Sequence, residues 1–230
     1  MGYSRKEEIA RLKREHKESK DRKAYNREQR VRFLIVCEGT KTEPKYFNAL
    51  INNCSSIIRE VTVNGVGKAT VRLVEETKVI KDDLENRNSM RFDRVWVVFD
   101  KDSFDDFNEA IRLANRFGFE TAWTNEAFEL WYVLHFEYLS AGIDRKDYIK
   151  RLTSILRNKT GDKKYKYEKG DDDNYILLRK YGDEEVAKRY ARRLRNLYRN
   201  KNYASHNPCT RVDLLVDELE NPESLLLNRS

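Results

Sequence analysis

No apolar stretch in this 230-residue chain approaches the roughly 20 residues needed to cross a bilayer, which argues against a membrane span. The amino terminus carries no hydrophobic segment behind its charges, so no secretory leader is visible and a cytoplasmic location is expected. Cysteine is scarce and odd in number. Cys37, Cys54 and Cys209 have neither metal-type spacing nor the even count of a disulfide framework. A Walker-type phosphate loop is missing as well: Gly65-Val66-Gly67-Lys68 stands between a strand pattern and a helix pattern but lacks that motif's spacing. No internal repeat is visible.

What is present is charge. Charged residues make up 37% of the chain and hydrophobic ones 39%, a polar balance for a globular protein, yet the apolar residues are clustered. The length suffices for one sizeable core, or one domain with an appendage. A net charge of +7 points to an anionic partner, nucleic acid before membrane. Residues 1–30 alternate Lys, Arg and Glu with too few apolar positions to define a buried stripe, and read as a basic arm, helical or disordered.

From Arg32 onward, strand and helix patterns alternate. Phe33-Leu34-Ile35-Val36-Cys37 and Val95-Trp96-Val97-Val98-Phe99 are continuous apolar runs, the pattern of strands buried on both faces. Residues 60–64 and 119–123 read as two more strands, with helices expected over 42–51, 69–85 and 107–117. This alternation predicts an α/β fold: a central parallel sheet with helices on both faces over residues 31–140. Residues 141–230 predict a helical, basic extension packed on that core, with helices over 144–158, 183–202 and 210–219.

Both apolar runs stop at acids: Glu38-Gly39 after the first, Asp100-Lys101-Asp102 after the second. The carboxyl ends of strands are where open α/β sheets place their chemistry. Residues i and i+2 of an extended segment point the same way, so Asp100 and Asp102 can converge with Glu38 on a hard cation such as Mg²⁺. The plainer reading is that these acids cap the next helix. Glu126 and Glu129, three apart, share the first turn of an apolar helix, capped by Thr124 or Asn125, and Glu129 is a site candidate by position. His135, between Leu134 and Phe136, reads as a core histidine. Gly65-Val66-Gly67-Lys68 is either an ordinary turn or a phosphate contact through Lys68. Tyr165 and Tyr167, interleaved with lysines, are either loop residues or base-stacking platforms. The densest positive cluster, with Lys188, Arg189, Arg192, Arg193, Arg195 and Arg199, is either a solvated basic face or a nucleic-acid contact. Val186, Tyr190, Leu194 and Leu197 supply that helix's apolar face.

A buried strand ending in Glu38-Gly39 followed by one ending in Asp100-x-Asp102 resembles the Toprim domain of topoisomerases, bacterial primases, overcoming-lysogenisation-defect nucleases and ribosomal RNA maturation nucleases. The segments IVCEGTKTEPKYF, VVFDKDSF, TNEAFELWYVLHF and NPCTRVDLLVDEL together resemble the RloB family of bacterial defence-associated proteins, over about residues 31–220. The resemblance implies a Mg²⁺- or Mn²⁺-dependent nuclease acting on RNA, tRNA among the targets, or on DNA. Glu38 matches the Toprim general acid/base, and Asp100 and Asp102 match the metal-binding aspartates. Lys41 and Glu43 are secondary candidates, and Asp105 and Asp106 are the two positions open to a further acid of the pattern. The resemblance also implies abortive infection together with an AAA-type or ABC-like ATPase partner, RloA. A non-cleaving nucleic-acid-binding or ATPase-docking subunit is the alternative.

Overall fold

A computed structural model describes residues 31–54, 58–67, 70–101 and 105–227. The basic arm over 1–30, Lys68 and Asp102 lie outside the described residues. Four strands form one parallel sheet: β1 (Val31–Cys37), β2 (Ile58–Gly65), β3 (Arg94–Lys101) and β4 (Glu120–Asn125), in the order β2-β1-β3-β4. The two apolar runs are the two central strands, which is why neither shows alternation: every side chain has a helix above or below it.

The two-residue period of a strand then divides the core. Phe33, Ile35 and Cys37 of β1 join Trp96 and Val98 of β3 on one face, packed on α1 (Thr42–Ile51), α4 (Glu129–Leu134), α5 (Arg145–Thr160), α6 (Asn174–Tyr181), α7 (Glu184–Arg195) and α8 (Val212–Glu220). Leu34, Val36, Val95, Val97 and Phe99 face the opposite way, onto α2 (Thr70–Asn88) and α3 (Phe107–Arg116). A short 3₁₀ turn, Tyr203–Ser205, packs near β4, and α9 (Glu223–Leu227) ends the described chain. The first face is the heavier one, and the fully buried rings of Phe33, Tyr46, Phe47, Phe128, Trp131 and Tyr148 belong to it.

Several local expectations are corrected. The helix predicted over 183–202 stops at Arg195, and Leu197 is exposed rather than part of an apolar face. Asp183 caps that helix by accepting the Val186 N–H at 2.9 Å, so its start is set by a capping carboxylate. Thr124 and Asn125 are not caps but the last residues of β4. Thr124 Oγ1 pairs with Thr210 Oγ1 at 2.8 Å, and Asn125 Nδ2 donates to Ala204 O at 3.2 Å. Glu126 does not share a helical turn with Glu129; it precedes α4 in the left-handed region, with φ of +71°. Tyr167 is buried, so it is packing rather than a stacking platform. Helix α6, read as neither helix nor strand beforehand, is an added element of the first face.

Candidate active site

The site grows from the sheet's carboxyl edge. Because β1 and β3 are parallel neighbours, with Cys37 opposite Val98, their terminal acids emerge side by side. The Glu38 N–H donates to Val98 O at 2.8 Å, and the Asp100 N–H donates to Glu38 Oε2 at 3.2 Å. The backbone register thus carries one carboxylate onto the other strand's acid. Asp100 in turn accepts the Phe128 N–H, at the start of α4, on Oδ2 at 3.2 Å. An amide at a helix start favours a carboxylate there.

The loop between β1 and α1 is shaped by glycine. A Cβ on Gly39 would lie 2.1 Å from Glu43 Oε2, so the bare backbone at 39 leaves room for that carboxylate. A Cβ on Gly65 would lie 2.5 Å from Gly39 O and 2.6 Å from the Thr40 Cα. The strand-to-helix turn that resembled a phosphate loop therefore presses, through Gly65, against the loop carrying Glu38. Gly67 adds an N–H to Glu38 O at 2.9 Å.

A cleft of about 290 Å³ opens at this edge, lined by Glu38, Gly39, Thr40, Lys41, Thr42, Glu43, Asp100, Arg145 and Lys169. Glu129 lies beneath it, with 1% of its side chain exposed, accepting from Lys169 Nζ at 3.0 Å and Tyr167 OH at 3.3 Å. The electrostatics follow from four acids in a partly dry space. Burial, then repulsion from Glu43 and Glu129, holds the Asp100 carboxyl well above its ordinary value, with Arg145 opposing and Glu38 adding to the rise. Burial also raises Glu43, and Glu129 adds to it against the pull of Lys169 and Arg145. The cations come late in the chain: Arg145 Nη2 stands 3.6 Å from Asp100 Oδ2.

Of the sequence candidates, the structure brings Glu38, Lys41, Glu43, Asp100 and Glu129 together. Asp102 and Lys68 lie outside the described residues. Among the described residues no group of three or more His, Cys, Asp or Glu is arranged to hold a metal ion. The donor chemistry still suits Mg²⁺, which takes one or two carboxylates and keeps its waters, and crowded acids with raised pKa values gain from a cation. Glu38 and Asp100 are the residues that would hold it.

Other candidates go elsewhere. Asp106 accepts from Thr70 Oγ1 and from the Val71 N–H at 3.3 Å, holding the start of α2. His135 is a core histidine: its Nδ1 pairs with Trp131 O at 2.9 Å, and burial lowers its pKa to about 4. Arg189, Arg192, Arg193 and Arg199 are exposed, and Arg193 stacks on Tyr138 at 4.3 Å. Arg195 corrects the expectation of an outward basic face. Its guanidinium turns inward onto Asp213, with Nη2 to Oδ2 at 2.7 Å, and donates to Thr210 O at 2.9 Å. Lys188 is likewise drawn inward, 5% exposed, among Glu185, Asp217 and Glu220.

Sequence reasoning missed Arg145 and Lys169. Each sits beyond residue 140, in a stretch read as an extension, and only the fold returns them to the strand ends.

No helix of the described residues is long and apolar enough to cross a membrane. Neither a curated protein nor a solved structure matches the chain. The family described as RloB-like protein matches residues 33–219, which include both strand-end acids and both late cations, and the chain belongs to that family.

Proposed function

We propose that this protein is a Mg²⁺-dependent nuclease of Toprim-like architecture that hydrolyses phosphodiester bonds in RNA, tRNA among its targets, or in DNA. The observation that carries this reading is the convergence of Glu38 and Asp100 at the ends of the two central strands, beside a cleft that also holds Lys41, Arg145 and Lys169. Acids alone would repel a phosphodiester. Acids mixed with three cations suit a phosphate whose attack needs a base and whose charge needs neutralising.

When bound by Glu38 and Asp100, with Asp102 the further candidate, Mg²⁺ supplies charge neutralisation and a more acidic water. Glu38 is placed to take a proton from attacking water or return one to the leaving oxygen. Its carboxylate is oriented for this by the Asp100 N–H. Glu43 and Glu129 hold negative potential under the site, and Lys41 offsets charge on the phosphate oxygens. The exposed Arg189, Arg192, Arg193 and Arg199 offer phosphate contacts for the rest of a strand. A role in abortive infection with an ATPase partner, in the cytoplasm, accompanies this reading through the family.

The test is cleavage of labelled RNA and DNA by purified protein in Mg²⁺ or Mn²⁺, with and without the ATPase partner. Glu38→Gln and Asp100→Asn are each expected to lower the rate at least about 10²-fold, the scale of a lost acid–base group. Unchanged cleavage in both variants would move the site elsewhere. Nucleic-acid binding with no cleavage under any condition would favour the non-cleaving binding subunit.

A further inference from the structure

We propose that Arg145 and Lys169 bind the phosphate group that enters the cleft, an assignment that rests on the phosphodiester reading above. Both line the cleft with Glu38 and Asp100, and both arrive from outside the strand-end acids.

Arg145 is held like a mounted tool. It is the first residue of α5, and its Nε and Nη2 both donate to Glu126 O, at 3.1 and 2.8 Å. That carbonyl is aimed by the left-handed backbone of Glu126, φ +71°, a conformation that a non-glycine residue adopts uncommonly. Strain of this kind persists where the surroundings over-determine it, and here it fixes a guanidinium at the cleft wall. The 3.6 Å separation from Asp100 Oδ2 exceeds a hydrogen bond, so the ion pair balances charge without tying up the guanidinium. Among the described residues Nη1 has no hydrogen-bond partner, and 44% of the side chain is exposed. A planar fork fixed along one edge and free at the other is suited to a phosphate oxygen pair.

Lys169 comes from the strap between α5 and α6, and that strap is pinned. Gly170, at φ +68°, lies so close to Lys41 that a Cβ there would be 2.8 Å from the Lys41 Cβ. Lys45 Nζ donates to Gly170 O at 2.7 Å and pairs with Asp172 at 2.7 Å. Lys169 Nζ reaches down to Glu129 while 40% of its side chain stays exposed to the cleft mouth. A pinned strap holding a lysine and a clamped arginine add two cations to Lys41 at a cleft wall that also carries Glu38, Glu43 and Asp100.

The plainer alternative is that the two cations only neutralise the acids. The full chain, in EDTA so that neither metal nor turnover enters, is titrated against a fluorescein-labelled single-stranded RNA and against DNA of the same sequence, read by anisotropy. Arg145→Ala is expected to weaken binding about tenfold, the loss of one charge-assisted contact. Arg145→Lys is expected to recover little of it, because a lysine cannot clasp Glu126 O with two N–H groups at once. Lys169→Ala is expected to weaken binding several-fold, and inorganic phosphate to compete less well against Arg145→Ala than against the parent. Arg116→Ala, an exposed arginine on the opposite face of the sheet, removes the same charge and is expected to leave affinity unchanged. Parent-like affinity in both Arg145→Ala and Lys169→Ala, with only a lowered melting temperature, overturns the assignment, as does absence of binding to either strand by the parent. Competition by inorganic phosphate that is equal for parent and Arg145→Ala also overturns it. Binding lost in Arg145→Ala while no nucleic acid is ever cleaved would leave the assignment standing and sink the nuclease reading instead.

Discussion

Asp100 and Asp213 are both withdrawn from water, and they have been treated in opposite ways. Asp213, 1% exposed, lies in the first turn of α8 and is met on both oxygens by Arg195. Burial still raises its pKa, but the first opposing influence is the hydrogen bond from Arg195. Asp100 also has its pKa raised by burial, yet the next two influences are further acids, Glu43 and Glu129. Its arginine stands 3.6 Å off and is bonded to Glu126 instead. One carboxylate is matched to its cation by geometry. The other is left short of positive charge at an open cleft. Structural ion pairs are completed within the chain, whereas sites that bind something leave a charge for the ligand to complete.

The largest way to break this contrast is to remove Arg195. Arg195→Ala strands a buried carboxylate and is expected to cost about 3–5 kcal/mol, read as the urea midpoint. Nucleic-acid affinity lost in that variant would follow from unfolding rather than from a lost contact. A loss under about 1 kcal/mol would place Arg195 back among the surface cations.

Asp100→Asn should do the reverse. It removes one of four mutually repelling acids and keeps an oxygen to accept the Phe128 N–H. Its urea midpoint near neutral pH is expected to equal or exceed the parent's, with a gain of roughly 1 kcal/mol. A midpoint well below the parent's would make Asp100 a structural carboxylate like Asp213.

A smaller effect comes from a third arrangement, the paired acids Glu184 and Glu220 beside Lys188. Burial, then the hydrogen bond with Glu220, raises the Glu184 pKa from 4.5 to about 7. Between those values the fold holds a proton that the unfolded chain has lost, so stability falls as pH rises through that window. The melting temperature of Glu184→Gln is expected to decline less than the parent's from pH 5 to pH 8. Parallel declines would show that the two acids do not share a proton.

Much of this was legible beforehand. Two unbroken apolar runs ending in acid announced two strands buried on both faces, but their side-by-side placement was decided by the fold, which sets β2 outside β1 instead of between β1 and β3. Glu38, Asp100, Glu43 and Glu129 were nameable because each closes a strand or opens a helix. Arg195 was misread for a definable reason. In a helix with cations at nearly every exposed position, one-dimensional patterning does not reveal which of them faces a buried aspartate eighteen residues later. Glu126 was misplaced because its left-handed backbone, held by its N–H to Lys101 O at 3.2 Å, belongs to the tertiary structure and not to a local helical pattern.

The amino-acid sequence by itself determined the buried strands and the acids Glu38 and Asp100 at their carboxyl ends, because strand burial is a local rule acting on contiguous residues. It also determined Gly39 and Gly65 as points where side chains are absent. Only the tertiary structure decided why they must be absent, by pressing the two loops together and laying Glu43 over the first. The cations of the cleft were decided there as well. Arg145 and Lys169 are more than forty residues from the nearest strand-end acid, and no local rule relates such positions. Long-range packing of α5 and its strap onto the sheet brings them back, and charge balance at the cleft depends on that return.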